Sequence, residues 1–244
     1  MLEILFQDEH LVAINKPHGL LVHRTKIADD AEEFALQLLR DQLNQTVFPA
    51  HRLDRKTSGI LLFSLSKEMD QLIQNEFYTQ KVSKKYLAIL RGLSPEELTI
   101  DYDLTKENGT VQNAITHFKT LQHVEIPYPQ GKFESARFSL IEARPETGRF
   151  HQLRKHFAHI MHPIIGDRPH GCNKQNKWWK ETFEMEKMML HASGLEFTHP
   201  ITKELISIKA NPQAEFIRVC EILTLEEKLY LNIAMFKDCQ LKSK

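Results

Sequence analysis

The stretch His51-Arg52-Leu53-Asp54-Arg55-Lys56-Thr57-Ser58-Gly59 sets one short carboxylate among three cations. An ionised carboxylate can act as a nucleophile, and cations beside it favour that form or hold a polyanionic substrate. By composition alone the stretch also reads as a charged surface turn. A second cluster, Thr147-Gly148-Arg149-Phe150-His151-Gln152-Leu153-Arg154, opens a segment with helical spacing. Arg154 lies about one turn from His151, so its guanidinium can emerge beside the apolar face and seek a carboxylate. Asp54 is the expected partner, against the plainer reading of a solvent-exposed arginine. Tyr86 follows Lys84 and Lys85. There its ring can stack on a base while the lysines hold phosphates, although a strand tyrosine is also ordinary core.

Other chemistries find less support. His151, His156, His159 and His162, with Asp167 following, make a metal site a rival. The zinc-protease arrangement, with a glutamate beside a histidine pair one turn apart, is absent, and no metal is expected. Thr57 and Ser58 lack the Gly-x-Ser-x-Gly surroundings of a hydrolase nucleophile. With neither a phosphate loop nor a dinucleotide fingerprint, no organic cofactor is expected.

Composition sets wider bounds. The 244 residues are 41% hydrophobic and 26% charged, an ordinary globular balance. Basic and acidic residues number 32 each, which argues against coating nucleic acid through bulk charge. A local basic face is still open, because cations gather at Arg52, Arg55 and Lys56, at Lys81, Lys84 and Lys85, and between Arg144 and Arg168. Cys172, Cys220 and Cys239 are scattered and odd in number, so free thiols are expected. Apolar runs such as Ile60 to Phe63 are strand-length, and Met1-Leu2-Glu3 does not open a signal peptide. A cytoplasmic protein without membrane contact is expected.

These groups need elements to position them. Leu2 to Phe6 and Leu11 to Ile14 predict a hairpin, and Asn15-Lys16-Pro17-His18-Gly19 a turn. Asp29 or Asp30 can cap a helix reaching about Leu43. Val47 to Ala50 leads into the Asp54 stretch, Ile60 to Phe63 predicts a buried strand, and Ser66 a capped helix. Lys84 to Leu90, Ala114 to Leu121 and Ala136 to Ala143 predict strands, with a turn at Asn108-Gly109 in an irregular polar segment. A helix is predicted from about Phe150 to Ile160, then strands at Leu190 to Phe197 and Leu205 to Ile208, then helix. Irregular interleaving without a repeated crossover predicts an α+β fold with a largely antiparallel sheet. The chain reads as one catalytic domain over 1–244, with a loose tail at about 238–244.

The ordered motifs resemble RluA-type pseudouridine synthases. They are Asn15 through His23, His51-Arg52-Leu53-Asp54 with Thr57-Ser58-Gly59, Lys85-Tyr86, Thr147-Gly148-Arg149 with His151-Gln152-Leu153-Arg154, His162 through Asp167, Leu190-His191-Ala192 and Thr198-His199-Pro200. The likeness spans roughly Met1 to Ala210. It implies the pseudouridine synthase fold and an isomerase that detaches a uracil from its ribose, turns it and rejoins it through carbon. Asp54 is then the nucleophile, Arg154 its ion-pair partner, and Tyr86 packs on the base. Arg52 fills the stack left by the flipped nucleotide, and His51, Lys85 and Arg149 contact RNA. The opening residues, the Asp167 to Asn176 stretch and the lack of a separate N-terminal RNA-binding domain resemble the members that act on a tRNA substrate, at uridine 65; a monomer is expected. Another tRNA or rRNA uridine, or a non-catalytic RNA-binding module, remain the alternatives.

Overall fold

The computed structural model describes residues 1–23, 33–130 and 132–225. In chain order the elements are β1 (Ile4–Gln7), β2 (Leu11–Lys16), α1 (Ala35–Leu43), β3 (Phe48–Pro49), β4 (Ser58–Ser64), α2 (Lys67–Tyr78), β5 (Ser83–Arg91), β6 (Glu97–Asp101), β7 (Leu104–Thr105) and β8 (Val111–Gln112). They continue with β9 (Ile115–Ile126), β10 (Ala136–Pro145), α3 (Gln152–His159), α4 (Asn173–Phe183), β11 (Leu190–Thr198), β12 (Leu205–Lys209) and α5 (Ala214–Ile222). The mixture is α+β, as the interleaving predicts. Two compact units share it: Met1–Lys85 with His191–Ala210, and Tyr86–Leu190 with the segment from Asn211.

In the first unit β2 pairs antiparallel with both β1 and β4, and β11 lies parallel to β4. All seven residues of β4 are buried, which is why its central run Ile60-Leu61-Leu62-Phe63 is continuously apolar rather than alternating. Leu11, Ile60, Leu62, Met69, Ile73 and Phe197 make the core with the buried side of α2. Ser66 caps that helix by accepting from the Met69 N–H, as its sequence predicts. Gly59, the last residue of the Asp54 stretch, has φ of 107°, and a Cβ there would sit 2.2 Å from the Ala192 carbonyl oxygen. Only glycine permits both the dihedral and so close an approach of β11.

In the second unit β10 pairs antiparallel with β5 and β9, and β6 adds to β9. Alternate side chains of β5 and β10 face opposite ways. Leu87, Ile89, Phe138 and Leu140 pack with Trp179 of α4 and Phe216 and Val219 of α5. Ala88, Leu90, Ile141 and Ala143 pack with Leu153 and Phe157 of α3. Helices on both faces explain the uninterrupted Leu87-Ala88-Ile89-Leu90 run.

Three sequence expectations change. The segment after Asp167, to which the sequence pattern assigns no element, contains α4, of whose eleven residues only Gln175 and Trp179 are buried. Helix α3 begins at Gln152, since His151 turns left-handed at φ 56°, leaving Phe150 and His151 outside it. The segment from Asp101 to Val111, expected to be irregular, follows β6 and holds the small β7–β8 hairpin, whose turn is the expected Asn108-Gly109. The cap at Asp29 or Asp30, Cys239 and the tail at 238–244 lie outside the described residues.

Candidate active site

In the first unit the Asp54 loop is anchored from behind by residues of the Asn15–Leu20 turn. Lys16 is fully buried, and its Nζ donates to the carbonyls of Pro17 (3.0 Å), Leu20 (2.8 Å) and Arg55 (3.3 Å). Gly19 N–H donates to the Arg55 carbonyl at 2.8 Å, and Arg55 Nε donates back to the Gly19 carbonyl at 3.1 Å. The Thr57 N–H closes the turn on the Asp54 carbonyl at 3.0 Å. Leu53 is buried, whereas Asp54 is half-buried and Arg52 exposed. Burial pulls the Lys16 ammonium down to about 7, opposed by the charge of Asp54. The loop therefore carries its carboxylate on a backbone fixed at both ends, with a lysine behind it.

Lys16 escapes the sequence reading because nothing in its spacing marks it as more than the end of an apolar strand. Its signal is indirect: a lysine following four residues of β2 that are all buried, just before a Pro-x-Gly turn. Arg55, unassigned in sequence, is a scaffold for this turn.

His51, expected to contact RNA, is half-buried and held by the fold of the loop. Its Nε2 accepts the Leu62 N–H at 3.1 Å, and its ring stacks on Phe77 with centroids 4.9 Å apart. Ser58 has a partner the sequence does not reveal: its Oγ lies 2.9 Å from Nδ1 of fully buried His191. His191 Nε2 donates to the Ala210 carbonyl at 3.2 Å, so Nδ1 is the acceptor and Ser58 the donor. With a carbonyl where a hydrolase would place a carboxylate, the pair ties β4 to β11 rather than activating Ser58.

Burial pushes both histidines down to about 4, with smaller contributions for His51 from the Arg52 backbone, which raises it, and from Lys84, which lowers it. Both remain neutral when folded, while unfolded histidine titrates near 6.5. The unfolded chain thus binds more protons as pH falls from about 6.5 to about 4, and stability is full above this window and lost through it. His191 contributes about 3 kcal/mol of that loss and the partly exposed His51 less. Urea unfolding across this window checks it; a pH-independent unfolding free energy would refute the buried neutral assignment.

The second unit holds Tyr86, Arg149 and Arg154, and Lys85 lies at the end of the first. Tyr86 stands opposite Ala143 in the β5–β10 pair and packs partly against the α3 side of the sheet. Lys85, on the first unit's end of β5, is half-buried, and its carbonyl accepts from Ser193 Oγ. Arg149 Nε donates to the Asn113 carbonyl at 2.9 Å. Buried Gln152 knots the start of α3, accepting from Thr147 Oγ and Arg149 N–H and donating to the Ile115 carbonyl and Thr116 Oγ.

Arg154 is 4% exposed and meets Asp167, itself 1% exposed, in a two-pronged pair: Nε to Oδ2 and a terminal nitrogen to Oδ1, both 2.8 Å. In the sequence Asp167 stands as a candidate metal ligand and as the end of the His162-to-Asp167 motif, with no sign of a bond to Arg154. No periodicity links residues thirteen apart across a turn, so this pair is visible only in three dimensions. Each helix-region histidine has another use: His156 bonds the Tyr102 carbonyl, His159 stacks on Tyr102, His162 bonds the Arg91 carbonyl and His151 bonds His170. Among the described residues no three His, Cys, Asp or Glu side chains converge as a metal site would require.

In the first unit a half-buried carboxylate on a loop held at both ends has the chemistry of a nucleophile. The model of the RNA pseudouridylate synthase family matches residues 10–159, and the chain belongs to that family, of RluA type. It is 47% identical over 221 residues to a tRNA pseudouridine synthase C of Vibrio vulnificus, covering 86% of this chain and 90% of that one. It is 42% identical to one of Vibrio cholerae over 95% of this chain and the whole of the other. Human RNA pseudouridylate synthase domain containing 4 superposes with a TM-score of 0.71 at 26% identity, over 91% of this chain and 93% of that one. The expected fold and enzyme class are thereby borne out. No helix among the described residues is long and apolar enough to cross a membrane.

Proposed function

We propose that the chain is a tRNA pseudouridine synthase isomerising uridine 65, with Asp54 as its nucleophile. The observation that carries this is the Asp54 loop, pinned by Lys16 and Arg55, in a member of this family with 47% identity to a tRNA pseudouridine synthase C. The bond from ribose C1′ to uracil N1 breaks, the base turns, and C1′ joins C5. The C5 proton leaves and N1 ends protonated, so atoms and electrons balance without an oxidant or energy source. Asp54 either bonds C1′ transiently or supports a glycal route.

The uridine must leave its stack, which costs a few kcal/mol, and exposed Arg52 is assigned to fill the space. Tyr86 packs on the base and assists proton removal. Arg154, held by Asp167, supplies the cation that supports Asp54. Lys85 and Arg149 serve the RNA backbone, and His51 contributes through the fold of the loop. The chain works as a monomer and one catalytic domain, in the cytoplasm and without a cofactor.

The test is conversion of unmodified tRNA transcripts followed by mapping. Pseudouridine is expected at position 65 and lost when that uridine is replaced by cytidine. Modification at another tRNA position, or only in rRNA, overturns the assignment of the substrate.

A further inference from the structure

The active-site reading leaves a basic groove on α4 unused. Asn173, Asn176, Lys177 and Lys180 recur at i, i+3, i+4 and i+7, so they share one side of the helix while Gln175 and Trp179 turn into the core. That side lines an open cavity of about 230 Å³ together with Arg168 and Glu186. Asn176 builds its wall. Its Oδ1 accepts from the Gly166 N–H at 2.9 Å and its Nδ2 donates to the Asp167 carbonyl at 2.7 Å, so the groove shares backbone with the partner of Arg154.

The charges in the groove are arranged around an anion already. The Glu186 carboxylate, more than half exposed, lies 2.5 Å from Lys180 Nζ. The Lys180 hydrogen bond, then its charge and that of exposed Arg168, hold that carboxyl below the usual range. Lys177 adds a third cation, loosely paired to Glu181 at 3.6 Å on the solvent side. An exposed pair of this kind is worth little, so a stronger anion can displace the carboxylate. A phosphodiester suits the cradle, since arginine and lysine hold phosphate oxygens by charge-assisted bonds.

We propose that this groove is a phosphate-backbone subsite for the RNA substrate, in which Arg168 and Lys180, with Lys177 beside them, hold a phosphate where the Glu186 carboxylate lies in the free protein. The proposal rests on the RNA-modifying reading above. Contacts of this kind set register and affinity and leave chemistry untouched.

The test compares wild type, Arg168→Ala/Lys180→Ala and Glu186→Gln in tRNA binding and turnover over a range of salt. The double variant should raise KM about tenfold with unchanged kcat, and flatten the dependence of log Kd on log salt by about one to two phosphate equivalents. Glu186→Gln, which removes the competing carboxylate, should lower KM several-fold. Wild-type KM and salt dependence in both variants would overturn the groove. So would stabilisation by inorganic phosphate that needs Arg168 and Lys180 while tRNA binding ignores them, since the cradle would then serve free phosphate. A wild type that binds tRNA through these residues without converting it would overturn the proposed activity and leave the groove standing.

Discussion

Asp54→Asn abolishes pseudouridine formation, lowering turnover at least about a thousandfold, as loss of a group that reacts with substrate does. The substitution preserves shape and removes only the charge and the nucleophilic oxygen. The Lys16 hydrogen bonds that anchor the loop run to backbone carbonyls, which the variant keeps, although losing the Asp54 charge removes what opposes the burial of the Lys16 ammonium. Release of tritium from C5-labelled uridine in tRNA measures the loss, and urea unfolding close to wild type shows that the fold survives. Asp54→Glu keeps the charge but moves it by about a methylene, and a displacement of that order costs roughly a hundredfold. Turnover within tenfold of wild type in Asp54→Asn would sink the nucleophile assignment and revive a purely RNA-binding protein.

Asp167→Ala strands a buried guanidinium, and we expect about 3–5 kcal/mol of lost stability in the second unit. Arg154→Met strands the carboxylate with a similar loss. Because desolvating two charges offsets most of what their attraction returns, replacing both by apolar residues recovers much of the stability. The Arg154→Met/Asp167→Leu chain is therefore expected to fold near wild type and remain inactive if Arg154 supports Asp54. Urea titration and tRNA turnover on the three variants separate the two roles. A double variant that is both stable and active would confine Arg154 to holding α3 against the Asp167 turn.

These outcomes bear on how far the sequence can be read. Strand β4 is legible because an apolar run of strand length is buried on both sides. The cap at Ser66 is legible because one hydroxyl and one backbone N–H decide it locally. Helix α4 is not, because its long polar stripe is a surface and its few apolar residues match a core assembled from β5, β10 and α5. His51 shows the same division within the site. A histidine before an Arg-x-Asp stretch reads as a polar contact, and its bond to Leu62 and its stacking on Phe77 come from residues the spacing does not mark.

What the sequence by itself determined was the carboxylate among cations, the order of the motifs and so the family, and most strands. Each depends on neighbours in the chain or on spacing. Tertiary structure alone decided that Lys16 lies behind Asp54, that Ser58 is spent on His191, that Asp167 holds Arg154, and that α4 presents a cationic groove. Those partners are brought together by burial and by hydrogen-bond completion between segments distant in the chain, and neither force leaves a period in the sequence.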